Sequence, residues 1–165
     1  MKLAVIDANI FIDLIKLQML TWLFQIGFEV YTTQEIIDQL NENQSELLKE
    51  FIKSRQLIIY LLTSQEFEEV VNLTTTRSLE LADKSVAWLS LHLKAIVISG
   101  DGPLRRFCES QQLEVRGMLW FFDLLVKDQL IVRSFAAQKM EQLLQINSRL
   151  PRDKCERRIQ EWKGQ

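Results

Sequence analysis

Residues 95–103 read Ala95-Ile96-Val97-Ile98-Ser99-Gly100-Asp101-Gly102-Pro103. Their reading decides the fold. A short, wholly apolar run ends in a polar turn, as expected of a strand buried on both faces of a parallel sheet. Pro103 suits the first turn of a following helix, which the pattern carries to about Gln111. On the other side, Leu79–Leu93 has the apolar spacing of a helix leading into this strand. Leu113-Glu114-Val115 is a further short strand. Helix, strand, helix, strand is the βαβ repeat, hence a parallel sheet with helices on its faces.

The rest of the chain extends this pattern. Leu3-Ala4-Val5-Ile6 is a second buried strand. A single helix is expected from Ile10 to Phe24, with Gly27 as its C-cap. Glu29–Thr32 and Leu57–Leu62 are strands. Thr33 can cap a helix Gln34–Gln39, and helices are expected at Ser45–Arg55 and Ser64–Asn72. Beyond Met118 the pattern is helical only, at about 118–128, 134–147 and after Pro151. The fold class is therefore α/β: a parallel central sheet of about four to five strands flanked by helices, with extra C-terminal helices.

Composition fits this reading. The chain has 165 residues, 47% hydrophobic and 25% charged, with only 5 Gly and 2 Pro. That is one globular domain, with room for a small helical appendage. Two Cys are too few for a disulfide framework, so a reducing, cytoplasmic setting is expected. No signal peptide and no membrane span is expected, because Asp7 interrupts the first apolar run. The net charge of −2 excludes a protein that coats nucleic acid by bulk charge. The sum hides an asymmetry: residues 1–83 carry 6 Lys and Arg against 13 Asp and Glu, and residues 84–165 carry 14 against 9.

Ligands of open parallel sheets bind beyond the carboxyl ends of the strands. Asp7 and Asp101 each follow a strand directly. Asp83 begins the helix that leads into the Asp101 strand, and Glu35 and Asp38 lie early on the helix after the second strand. Each has an ordinary explanation: Asp7 a helix cap, Asp101-Gly102 a turn, Asp83 a first-turn acid, Glu35 and Asp38 solvated face residues. Together they point further. Two carboxylates ~5 Å apart repel by about 3 kcal/mol at an effective dielectric of 20. A cluster of them needs cations, and oxygen-only ligands suit Mg²⁺ or Mn²⁺. Such a metal can drive displacement at phosphorus.

The order of motifs resembles that of a PIN domain. The resemblance is carried by Val5-Ile6-Asp7-Ala8-Asn9-Ile10-Phe11-Ile12-Asp13, and by the run from Leu81-Ala82-Asp83-Lys84-Ser85 through Ser99-Gly100-Asp101 to Arg105-Arg106. It extends to Val115-Arg116-Gly117 and covers about residues 1–130. That leaves 131–165 as a C-terminal helical extension packed on or beside the domain. The resemblance implies a Mg²⁺- or Mn²⁺-dependent ribonuclease, many relatives being toxins paired with an antitoxin. It implies Asp7, Asp83 and Asp101 as catalytic, metal-binding acids, with Asn9 and Ser99 in support. The family's second acid falls on Glu35 in one register. The other register sets Gln39 at that place with Asp38 beside it, and Glu35 is preferred. Many members carry an acid where Gly100 stands, so an outer ligand is missing.

Arg105, Arg106, Lys84 and Arg116 are the candidate contacts to RNA phosphates, or else solvated helix faces. The basic tail Arg149–Arg158 could meet RNA or a partner, or form internal charge pairs. Met118-Leu119-Trp120-Phe121-Phe122 is read as core rather than as the groove of a homodimer or antitoxin. His92 is read as a surface or half-buried residue, not a base. Three rivals are weighed, the first a receiver-like domain, which would want clustered acids at the first strand and a Lys at a late strand end that has no match here. A phosphatase of the haloacid dehalogenase type would want a second acid where Asn9 stands. A catalytically weak PIN-like scaffold for RNA or protein is favoured by Gly100 and the uncertain second acid.

Overall fold

The computed structural model describes residues 1–75 and 79–164. The chain runs β1 (Lys2–Ile6), α1 (Ala8–Lys16), α2 (Leu20–Leu23), β2 (Phe28–Thr33), α3 (Gln34–Ile37), α4 (Glu42–Lys53), β3 (Leu57–Tyr60) and α5 (Ser64–Val71). It continues with α6 (Leu81–Leu93), β4 (Ile96–Ile98), α7 (Gly102–Ser110), β5 (Val115–Arg116), α8 (Met118–Lys127), α9 (Arg133–Ile146) and α10 (Arg152–Lys163). The five strands form one sheet in the order β3-β2-β1-β4-β5, and every pairing is parallel.

This order sets the site. The chain builds outward from β1 through β2 to β3, then returns to add β4 on the other side of β1. The direction of winding therefore reverses between β1 and β4, which pair with Ile6 opposite Ile98. A crevice opens at such a reversal because the helices on either side leave in opposite directions. Asp7 follows β1 and Asp101 lies just beyond β4, so the topology brings both to its rim.

The central strands are apolar because both faces are covered. Ala4, Val5, Ile6, Val97 and Ile98 have no exposure. Helix α6 packs against β1, β2 and β4 and is buried from Ser85 through Ser90. Its hydroxyls are satisfied internally: Ser85 donates to Ala82 O at 2.6 Å and Ser90 to Val86 O at 2.8 Å. The stripe 118–122 is core, with Met118, Phe121 and Phe122 buried. Burial of each such phenylalanine is worth about 1.5–3 kcal/mol, more than a solvated surface could offer.

Three expectations are corrected. The helix expected over Ile10–Phe24 is two helices: α1 stops at Lys16, and Gln18 takes a left-handed φ of 57°. Gly27, at φ 77°, turns the chain into β2; the helix before it ends at Leu23, with Phe24 as its C-cap. Helix α4 begins at Glu42, not Ser45, because Asn41 and Gln44 form a reciprocal capping box.

The C-terminal helices share the main core. Ala136, Met140, Leu143, Cys155, Ile159 and Trp162 join the same cluster of buried side chains as the sheet. Two polar contacts tie them to α1. Lys139 Nζ donates to Leu17 O at 2.8 Å, neutralising the carbonyl end of that helix. Asn147 Nδ2 donates to Asp13 Oδ2 at 2.7 Å.

Candidate active site

Asp7 ends β1 and caps α1. Its Oδ1 accepts from Ala8 N at 2.8 Å, and its Oδ2 from Ser99 Oγ at 2.6 Å. The Asp7 backbone N–H donates to Ile98 O at 3.1 Å, which fixes it to β4. Ser99 is fully buried, and its Oγ also accepts from Asp101 N at 3.0 Å. Asp101 caps α7 by accepting from Leu104 N at 3.0 Å through Oδ2. One hydroxyl therefore joins both strand-end acids.

Asp83, in the first turn of α6, lines the same cleft as Asp7 and Asp101. Burial, then repulsion from Asp7 and Asp101 and from Glu80, pushes its carboxyl up to about 7. Asp7 is also raised, chiefly by burial and against its hydrogen bonds from Ser99 and Ala8. The cleft is open and holds about 370 Å³. Asn9, Gln39 and Glu80 line it too, and Arg149 enters from the loop between α9 and α10.

The other expected residues lie elsewhere. Glu35, in the first turn of α3, is not among the described residues lining the cleft, and its Oε2 is buried without a hydrogen-bond partner. Asp38 is exposed and accepts from Gln34 Nε2 at 2.8 Å. Just beyond α3 it is Gln39, an amide, that lines the cleft. None of the four expected phosphate contacts lines it. Arg105 Nη1 donates to Ser99 O at 2.7 Å and braces the strand end from below Gly117. Arg106 folds over Gly102, whose absent Cβ would stand 3.1 Å from Nη1. Arg116 pairs with Glu114 at 3.0 Å, and Lys84 Nζ donates to Val71 O at 3.2 Å.

Reading the sequence overlooked Glu80 and, as an individual residue, Arg149. Glu80 precedes a helix and carries no motif. Arg149 is separated from the strands by two helices, and only the return of α9 and the loop after it onto α1 brings it back.

The donors suit a hard divalent cation: carboxylates, and Asn9 Oδ1, which is buried with no hydrogen-bond partner. Mutual repulsion of the acids would be relieved by a positive charge. Among the described residues, no three His, Cys, Asp or Glu side chains already enclose an ion-sized space. The donor chemistry fits, and the ligands converge on one cleft without closing around it.

A family model described as the PIN domain matches residues 3–164. The chain belongs to the PIN-domain family. PIN domains are generally nucleases, and the five-stranded parallel sheet flanked by helices is consistent with that fold. No protein of curated function matches this PIN domain. Among solved structures it is similar to FitAcB from Neisseria gonorrhoeae, with a TM-score of 0.43 and 12% identity over 69% of this chain and 96% of that one. Among the described residues, no helix is long and apolar enough to cross a membrane.

Proposed function

We propose that this PIN domain is a Mg²⁺- or Mn²⁺-dependent endoribonuclease that hydrolyses RNA phosphodiesters. The observation carrying this reading is the Ser99-bridged pair Asp7 and Asp101 at the β1–β4 reversal, with Asp83 raised beside them. Asp7, Asp83 and Asp101 would hold the cation, with Asn9 lining the same cleft and Glu35 left outside it. Such an ion, when bound, activates water and offsets charge on the departing oxygen.

The chain's own residues do the positioning. Ser99 and the Ala8 N–H hold both oxygens of Asp7. Asp101 is held at the N-terminus of α7 by the Leu104 N–H. With its carboxyl near 7, Asp83 holds a proton that it would release to a cation in the neutral range. The role of a toxin restrained by an antitoxin, or a homodimer, belongs to the same reading.

The test is cleavage of structured RNAs in Mg²⁺ by wild type, D7N and D101N. Asn keeps the capping geometry at 101 and removes the charge. A loss of 10²-fold or more is expected for D101N, on the scale of removing a charge-stabilising group. Cleavage by D101N at the wild-type rate overturns the proposal.

Gln39 in the cleft favours a second reading, a catalytically weak scaffold. Calorimetric titration with Mn²⁺ separates the two. An intact fold that takes up no Mn²⁺ at millimolar concentration supports the scaffold.

A further inference from the structure

A cleft lined by Asp7, Glu80, Asp83 and Asp101 repels a polyanion. A nucleic-acid strand can enter only if a cation meets its phosphates. Arg105, Arg116 and Lys84 are bonded to protein groups, and Arg106 lies over Gly102, outside the lining of the cleft. Arg149 is the one cation among the described residues lining the cleft. It is exposed, and among the described residues it makes no ion pair with the acids.

Its backbone is held by a two-sided clamp. Asn147 Oδ1 accepts from Arg149 N at 2.9 Å, while Asn147 Nδ2 donates to Asp13 Oδ2 at 2.7 Å. Asp13 is buried on α1, the helix whose Ala8, Asn9 and Ile12 form one wall of the cleft. One amide therefore fixes the loop carrying Arg149 to the helix that Asp7 caps. A guanidinium presents a planar fork that matches two oxygens of a phosphate, and a residue spent on neutralising the acids would be paired with them.

We propose that Arg149, delivered by the α9–α10 loop and positioned by the Asp13–Asn147 clamp, grips a backbone phosphate of the strand being cut. The proposal rests on the nuclease reading above.

The test uses the full chain and a fluorescein-labelled single-stranded RNA of about 12 nucleotides. Anisotropy measures binding without added metal across a salt series, and cleavage is followed separately in Mg²⁺. R149A is expected to weaken binding about 10-fold or more, the scale of a lost charge-assisted hydrogen bond. The salt slope should fall by about 0.7, the value for one phosphate contact on a single strand. R149K should recover part of the affinity. N147A should weaken binding less than R149A while keeping the salt slope, because the charge stays and only its placement loosens. R133A, elsewhere on the surface, should match wild type. Circular dichroism verifies the fold of each variant.

Wild-type affinity and slope in R149A, with cleavage by wild type intact, overturn this inference and leave the nuclease reading standing. Tighter binding by R149A also overturns it, making Arg149 a counter-charge to the acids. If wild type neither binds nor cuts RNA, both fail.

Discussion

Ser99 Oγ donates to Asp7 Oδ2 at 2.6 Å across 92 positions of sequence, inside the core and beside no other donor to that oxygen among the described residues. The first prediction follows from it. S99A leaves a buried carboxylate oxygen and the Asp101 N–H without partners. A cost of about 1–3 kcal/mol is expected. Urea denaturation measures it, and a loss under 0.5 kcal/mol would show that water replaces the hydroxyl.

Asp83 makes stability depend on pH. Its carboxyl is ordinary, at 3.8, in the unfolded chain and about 7 in the native one. Between those values the native state keeps a proton that the unfolded state has released. Stability therefore falls as pH rises from about 4 to 7, and Asp7, raised in the same sense, adds to the fall. D83N removes the Asp83 contribution. Because Asp83 is half-exposed, solvent screening reduces the effect to on the order of 1 kcal/mol. In EDTA at pH 8, D83N should melt about 2–4 °C above wild type, and the two should converge near pH 4. Parallel melting curves from pH 4 to 8 would show that burial and repulsion do not raise the Asp83 carboxyl.

Gly100 leaves room for a side chain. A Cβ there would meet only Asn9 Nδ2, at 3.7 Å, an ordinary contact. G100D should fold with wild-type stability to within about 0.5 kcal/mol, as surface substitutions generally do. It adds an oxygen donor at the rim, so Mn²⁺ affinity by calorimetry should rise severalfold. Unchanged affinity would place the ion away from the β4 end.

The two thiols should be inert. Burial, with repulsion from Asp7, Glu109 and Asp83, pushes Cys108 up to about 12, and burial raises Cys155 as well. Thiolate is the reactive form. Iodoacetamide at pH 8 should leave the native protein unlabelled by intact mass and modify both thiols in denaturant. Native labelling would reveal local opening of α7 or α10.

Much of this was legible from residues. Apolar runs ending in Asp marked β1 and β4, and their alternation with helices implied the parallel sheet. Thr33 and Pro103 marked helix starts because capping is local chemistry. What escaped was set by chain return or by backbone shape. Nothing in the apolar spacing of 10–24 announces Gln18, since the interruption keeps the same face buried. Glu35 and Gln39 lie four residues apart on and just beyond a very short helix, so sequence could not say which faces the cleft. Arg149 depends on how α9 and α10 fold back. The basic tail was visible as a block, but its one residue at the cleft was not.

The path of the Asn147 clamp has a temporal consequence. A ribosome makes Asp7 before Arg149, and the Asp13–Asn147 contact cannot form until both of its partners have emerged. A nascent chain therefore assembles its repelling carboxylates well before the cation that would admit a polyanion. On the role proposed for Arg149, the cleft would not admit a polyanion until the α9–α10 loop has been made.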